Sequence, residues 1–156
     1  FTQSNRLHAT YNFDLLEWEG LTIQEMKDVI DNAVSTFNGT GKLCFAFSNH
    51  DVPRSISRQI APLNVKREDS KDLQLLLLKL ESCLIGSTCI YQGEELALED
   101  VTDIPLEKMQ DPWGIEFAAT FPGRDTCRTP MVGCKRAQWR FFRCQSNMVA
   151  NWKTAF

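Results

Sequence analysis

The chain has 156 residues, of which 43% are hydrophobic and 24% are charged, and these values are typical of one globular domain rather than of a disordered segment. Its formal net charge of −3 gives no electrostatic reason to expect a nucleic-acid partner. No apolar run approaches the roughly 20 residues that a membrane-spanning helix needs, so the sequence also predicts no membrane partner.

The first predicted elements are a short strand and a helix. The strand is the apolar and aromatic run at Tyr11–Leu16. The helix covers Thr22–Phe37, where apolar residues recur at spacings of three and four, as an amphipathic helix requires. Thr22 and Glu25 fit a capping box at its start, and the run "NGTG" after it breaks the chain.

Two further strands and a second helix continue the alternation. Leu43–Phe47 is apolar throughout, which is typical of a strand buried on both faces of a parallel sheet. Asp69–Gly86 contains a leucine-rich run too long for a strand and predicts a helix, and Ser87–Gly93 is a third strand candidate. This order predicts an α/β fold with parallel strands and right-handed crossovers. Spacing alone leaves a doubly wound sheet and a barrel as alternatives.

The cysteines and histidines limit metal and disulfide chemistry. The chain has six cysteines without a C-x-x-C pair and only two histidines, so we expect no zinc site. Free, mostly buried thiols in a reducing, cytoplasmic compartment are the expected state. The tripeptide at Asn38–Thr40 matches a glycosylation acceptor, but so short a motif recurs by chance.

A dense polar stretch, "SNHDVPR", follows the predicted strand Leu43–Phe47. Taken alone, it is better explained as an ordinary polar loop in which Asp51 caps a turn before Pro53. It is accompanied, however, by two other segments, so that "CFAFSNHDVPRSISR", "STCIYQGEELAL" and "DPWG…GRDTCRTPM" follow one another along the chain. In this order they resemble the C-terminal half of the catalytic barrel in the α-amylase family of glycoside hydrolases, in its α-glucosidase and oligo-1,6-glucosidase branch.

The resemblance extends upstream to "RLHATYNFDLL" and covers roughly residues 5–131. It implies a partial (β/α)8 barrel in which the three predicted strands are strands six to eight, with the active site in the loops at their carboxyl ends. It further implies a retaining glycosidase that needs no cofactor or metal and acts on oligosaccharide or glucoside substrates. Residues 1–131 are therefore predicted to be the C-terminal part of a catalytic barrel.

Three residues are the site candidates that this resemblance implies. In the family, the aspartate of the NHD motif binds sugar hydroxyls in the transition state, so Asp51 is the predicted transition-state stabiliser. His50 beside it and Arg124 in "GRD" are predicted to bind substrate. Glu94 and Glu95 are interpreted as structural or rim residues, because the family's acid/base glutamate follows the fifth strand.

By the same resemblance, the nucleophile and the acid/base residue lie outside this chain. The opening "FTQSNRLH" has neither a starting methionine nor a signal-peptide pattern, so the chain reads as the middle of a longer protein. We expect the isolated 156 residues to be inactive, with the missing N-terminal half of the barrel as their partner. We also expect them to be insoluble or molten, because an incomplete barrel has two unpaired sheet edges.

Residues 132–156 do not continue the resemblance. They contain five basic residues and no acid, whereas all 20 acidic residues lie in residues 1–131. One interpretation is a basic, aromatic arm for nucleic acid or membrane. We favour a frameshift near Val132–Ala137, because a one-nucleotide shift can give "NGGFSDA" followed by "WLPI", which is the form expected of the family here.

Alternative functions stay open at this point. One is a transglycosylating relative of the sucrose isomerase type. Another is a non-catalytic subunit of a membrane transporter, against which the presence of His50 and Asp51 argues. A pseudogene product without function is a third, because of residues 132–156.

Overall fold

The computed structural model describes residues 5–16, 22–37, 41–117 and 120–131 of the chain. These residues belong to two units, one ending at Asp100 and the other beginning at Val101. The Asn38–Thr40 tripeptide and the segment 132–156 lie outside the described residues. The predicted division at residue 131 and the predicted frameshift therefore stay predictions.

Three parallel strands form the sheet of the first unit. They are β1 (Ala9–Tyr11), β2 (Lys42–Phe45) and β3 (Ser87–Thr88), and β2 lies between the other two. Tyr11 pairs with Cys44 in the first ladder, and Phe45 pairs with Thr88 in the second. The parallel pairing and the alternation of strands and helices confirm the predicted α/β architecture.

The described part of the first unit also contains three α-helices. They are α1 (Ile23–Thr36), the short α2 (Ser55–Ile60) and α3 (Ser70–Cys83). The predicted capping box is present at the start of α1, since Thr22 Oγ1 accepts the Glu25 N–H at 3.2 Å and Glu25 Oε2 accepts the Thr22 N–H at 2.8 Å. Such reciprocal bonds satisfy donors that a helix start otherwise leaves unpaired.

The core lies between β2 and the helices α1 and α3. Its buried members are apolar and come from these three elements, from the turn after β1 and from the segment just beyond β2: Leu15, Met26, Ala33, Phe45, Phe47 and Leu77. Each fully buried side chain of this kind contributes about 1.5–3 kcal/mol. The carboxyl end of β2 is thus held firmly against the helices.

The position predicted for the first strand is wrong. The strand is Ala9–Tyr11, and the apolar Leu15 and Leu16 lie after it, in a turn where the Asp14 N–H donates to Asn12 Oδ1 at 3.1 Å. Both leucines are buried, so the apolar run indicated burial rather than extended backbone. The third strand is also shorter than predicted.

Among its described residues, the second unit contains one short α-helix, α4 (Pro112–Glu116), and a 3-10 turn at Leu106–Lys108, between irregular segments. Its compactness depends on Gly114 and Gly123, because a Cβ added to Gly114 would lie 2.8 Å from the Gly123 Cα. Real Cβ atoms do not approach a backbone carbon so closely, so this contact requires glycine.

Candidate active site

The predicted residues His50 and Asp51 lie together in the loop that follows β2. We call residues 49–54 the NHD loop. The His50 side chain is 68% exposed and the Asp51 side chain 46% exposed, and His50 Nε2 is 3.3 Å from Asp51 Oδ2. In (β/α)8 barrels, binding and catalytic residues lie at the carboxyl ends of the parallel strands. An accessible imidazole and an accessible carboxylate are therefore adjacent at this edge of the sheet.

Asn49 shapes the start of the NHD loop. Its Oδ1 accepts the backbone N–H of Asp51 at 2.8 Å and that of Val52 at 3.2 Å. Asparagine readily forms such side-chain turns, which replace the ladder bonds that end with the strand. The polar residues after β2 therefore turn the backbone before Pro53.

A buried carboxylate, Glu94, binds both ends of the NHD loop. Glu94 is 1% exposed. Its Oε1 accepts hydrogen bonds from the hydroxyls of Ser48 at 2.5 Å and Ser55 at 3.0 Å. Its Oε2 accepts the Tyr91 backbone N–H at 2.8 Å. Ser48 also accepts the Ser55 N–H at 2.8 Å. Glu94 is thus buried and bonded within the chain, and Glu95 next to it is exposed. The interpretation of both as structural or rim residues stays a prediction.

A second carboxylate, Asp100, holds the carboxyl end of the loop. Its two oxygens accept the Arg54 backbone N–H at 3.1 and 3.2 Å, and Arg54 Nη1 lies 3.5 Å from Oδ1. The Arg54 side chain is fully buried and lies over the Tyr91 ring at 5.6 Å. Burial raises the pKa of Asp100, against the opposing effect of Arg54. Arg54 is therefore an internal anchor rather than a surface group.

Arg58, on α2, adds a third set of bonds to the same loop. Its Nε donates to the Pro53 carbonyl at 3.0 Å, and its Nη2 donates to the Phe47 carbonyl. Sequence reasoning missed Arg58, Asp100 and the two serines, because none belongs to a periodic pattern. A usable signal was the placement of small hydroxyl residues on both sides of "NHDVPR".

Arg124, the third predicted site residue, lies in the second unit. Its Nη2 donates to Asp111 Oδ1 at 2.8 Å, and its Nε and backbone N–H donate to Oδ2 at 3.2 and 2.7 Å. These bonds hold the pKa of the Asp111 carboxyl well below its usual range. The guanidinium lies over the Trp113 ring at 5.3 Å, and the side chain is 26% exposed.

The described part of the chain offers little metal or disulfide chemistry. It contains no group of three or more His, Cys, Asp or Glu side chains that could hold a metal ion. Cys44, Cys83, Cys89 and Cys127 are free thiols, whereas Cys134 and Cys144 lie outside the described residues. Of these four, Cys127 is buried and Cys44 is half-buried, whereas Cys83 at the end of α3 and Cys89 after β3 are exposed. The expectation that the thiols are mostly buried is therefore wrong for this set. None of the helices described is long and apolar enough to cross a membrane.

Comparison with known proteins defines the class. A family model described as "Alpha amylase, catalytic domain" matches residues 2–146, and the chain belongs to this family. Its parallel sheet and helices are thus part of an α-amylase-type (β/α)8 barrel fold.

Curated relatives are named as α-glucosidases. The chain is 41% identical over 128 residues to a probable alpha-glucosidase of Rhizobium meliloti, a match that covers 82% of this chain and 22% of the relative. It is 27% identical over 136 residues to an oligo-1,6-glucosidase of Parageobacillus thermoglucosidasius, covering 76% of this chain and 23% of the relative. The matched part therefore spans less than a quarter of the length of these relatives.

Solved structures give the same fold. An alpha-glucosyl transfer enzyme, XgtA, superposes with a TM-score of 0.68 at 37% identity, covering 81% of this chain and 22% of that one. The trehalulose synthase MutB from Pseudomonas mesoacidophila MX-45 superposes with a TM-score of 0.61 at 20% identity, covering 84% and 28%. At this lower identity the likeness supports the fold alone.

Proposed function

We propose that this chain is the part of a retaining α-glucosidase that carries strands six to eight of the barrel, as β1, β2 and β3. The complete protein hydrolyses α-linked glucosides in the cytoplasm, and the isolated chain is inactive. The observation that carries this proposal is the accessible His50–Asp51 pair in a loop after the central strand, with buried carboxylates bound to both ends of that loop.

The chemistry of retaining glycosidases gives Asp51 its role. A nucleophilic carboxylate and an acid/base carboxylate, both outside this chain in the proposal, cleave the bond through an oxocarbenium-like transition state. Hydrogen bonds to the sugar hydroxyls strengthen as that state forms. Asp51 accepts such bonds and His50 adds a further hydroxyl contact. Interactions stronger in the transition state than in the ground state accelerate the reaction.

Arg124, in the second unit, is the third residue for which we propose a role. Two of its guanidinium nitrogens are bonded to Asp111, and these bonds fix the geometry of a side chain that is 26% exposed. A rigid, bidentate arginine loses little side-chain freedom when it binds a ligand. Its proposed role is therefore substrate binding rather than chemistry.

The proposal is tested with Asp51→Ala in the full-length protein. We expect kcat to fall about 100-fold or more, by analogy with the loss of one transition-state contact, while KM changes by no more than about threefold. Asp72→Ala, an exposed aspartate on α3, is the control and should keep the parent kcat. A kcat for Asp51→Ala within twofold of the parent would overturn the proposal.

Glucosyl transfer is a second candidate function, because the 37% identical solved structure is described as a glucosyl transfer enzyme. Product analysis separates the two reactions. Hydrolysis of maltose releases two glucose molecules for each maltose consumed. Transfer releases one, the leaving glucose, while the other glucosyl unit joins an acceptor as a new glucoside. With sucrose, an isomerase gives an isomeric disaccharide without releasing equal amounts of glucose and fructose.

A further inference from the structure

His50 and Asp51 belong to the NHD loop, and their side chains are 68% and 46% exposed. The bonds that hold the two ends of this loop set the position of the backbone that carries both side chains. A catalytic carboxylate has to be held within about 0.5 Å of its productive position.

Glu94 is placed to provide such control. Ser48 lies immediately before the NHD loop and Ser55 immediately after it, and both hydroxyls bond to the same carboxylate oxygen, Oε1. The other oxygen is bonded to the Tyr91 N–H. One side chain on a different loop therefore fixes the separation of the two loop ends.

A carboxylate is an unusual residue for a merely structural position. Burying a charge is unfavourable unless several hydrogen bonds compensate it, and Glu94 has two hydroxyl donors and one N–H. Bonds to a charged acceptor are also shorter and stronger than bonds to a neutral one, as the 2.5 Å contact to Ser48 illustrates. Such bonds restrict movement more than an apolar contact of the same size would.

We propose that Glu94 is a positioning residue, whose buried carboxylate sets the place of Asp51 by joining Ser48 to Ser55 across the NHD loop. This inference rests on the proposed function, in which Asp51 stabilises the transition state. Glu94 touches no substrate and acts only through the loop. Because the contacts of Asp51 matter mainly in the transition state, loss of Glu94 affects kcat rather than KM.

The test is a double-mutant cycle in the full-length protein, with Glu94→Gln, Asp51→Ala and the combined variant. Glutamine has the shape of glutamate but presents an NH2 group to one of the three donors. We expect Glu94→Gln to lower kcat about 10- to 100-fold, since a displacement of about 1 Å can cost about 100-fold, with KM within about threefold of the parent. In the Asp51→Ala background the same change should lower kcat by less than about twofold.

Glu95→Gln is the matched control on the neighbouring residue. Glu95 Oε2 accepts the Gly93 N–H at 2.9 Å, and the glutamine oxygen can accept the same bond. This variant should keep kcat within about twofold of the parent. A comparable loss of kcat in Glu95→Gln would contradict a specific role for Glu94.

The outcomes separate the two proposals. If Asp51→Ala lowers kcat but Glu94→Gln lowers it by the same factor in both backgrounds, Glu94 acts only on folding and the inference is overturned. If Asp51→Ala leaves kcat unchanged, the proposed function and this inference both fail. Should Glu94→Gln not fold, Ser48→Ala removes one of the three donors, and we expect the same non-additivity with Asp51.

Discussion

The NHD loop of the first unit and the Asp111–Arg124 cluster of the second unit use the same residue types in opposite ways. Around the NHD loop, buried carboxylates bind serine hydroxyls and backbone N–H groups, and Asp51 stays accessible. In the second unit, the buried Asp111 is bonded directly to the arginine side chain. The carboxylate of Asp51 stays accessible because neighbouring groups bond to the backbone of its loop. The carboxylate of Asp111 is buried because Arg124 bonds to it directly.

The largest expected effect is a loss in the free energy of unfolding when Asp111 is replaced. Asp111→Ala leaves Arg124 without the carboxylate that binds its Nε and Nη2. Breaking a buried pair from one side costs about 3–5 kcal/mol, and the partial exposure of Arg124 reduces this to about 2–4 kcal/mol. Asp51→Ala should change the free energy of unfolding by less than about 0.5 kcal/mol, as exposed sites do. Urea unfolding of the full-length variants measures both, and equal losses would contradict the comparison.

A smaller loss is expected at the glycine contact beside this cluster. Gly114→Ala forces a Cβ against the Gly123 backbone, which cannot give way as a flexible side chain would. Overpacking of this kind costs about 1–3 kcal/mol. Glu116→Ala, exposed on the same short helix, should cost less than about 0.5 kcal/mol. Thermal midpoints of the two variants check the difference, and equal midpoints would show that the contact relaxes.

A separate effect, on how stability depends on pH, concerns Glu81, which is buried in α3. Its carboxyl oxygens have no hydrogen-bond partner among the described residues, and the neighbouring Cys89 N–H donates to the Phe45 carbonyl instead. Burial, followed by the nearby Glu94, raises the pKa of Glu81 from 4.5 to about 8. Between these two values the folded protein binds a proton that the unfolded chain has lost.

Stability should therefore fall as the pH rises from 4.5 to about 8, with a slope from Glu81 of at most about 1.4 kcal/mol per pH unit. Glu81→Met removes the titrating group and should flatten this part of the profile. Asp72→Asn, on the exposed side of the same helix, should leave it unchanged. An identical profile for the parent and Glu81→Met would show that Glu81 is ionised throughout.

The secondary structure was predicted best where a periodic pattern of apolar residues extended over many positions. The two long helices and the capping box of Thr22 and Glu25 were predicted to within three residues at either end, since periodicity over 14 residues leaves few alternatives. Strand β2 was predicted because its apolar run is continuous. The short helices α2 and α4 were not predicted, because five or six residues contain less than two turns of pattern.

The site was predicted only in part, for a related reason. His50 and Asp51 are adjacent in a recognisable motif, whereas Ser48, Glu94 and Asp100 are up to 52 residues apart in the chain and come together only in the fold. A single sequence carries no signal for such long-range polar contacts. The resemblance indicated which residues to consider, and the folded chain was needed to find what holds them.

The anchoring of the NHD loop by Glu94, Asp100 and Arg58 has an entropic consequence. Fixing the backbone of one residue costs about 1–2 kcal/mol, and this ordering is already complete when the chain has folded. In the proposed function, a sugar that binds at Asp51 need not immobilise the loop, and its binding energy remains for distortion of the ring. Preorganisation of this kind predicts a small entropy of binding and a loop whose amide hydrogens exchange slowly even without ligand.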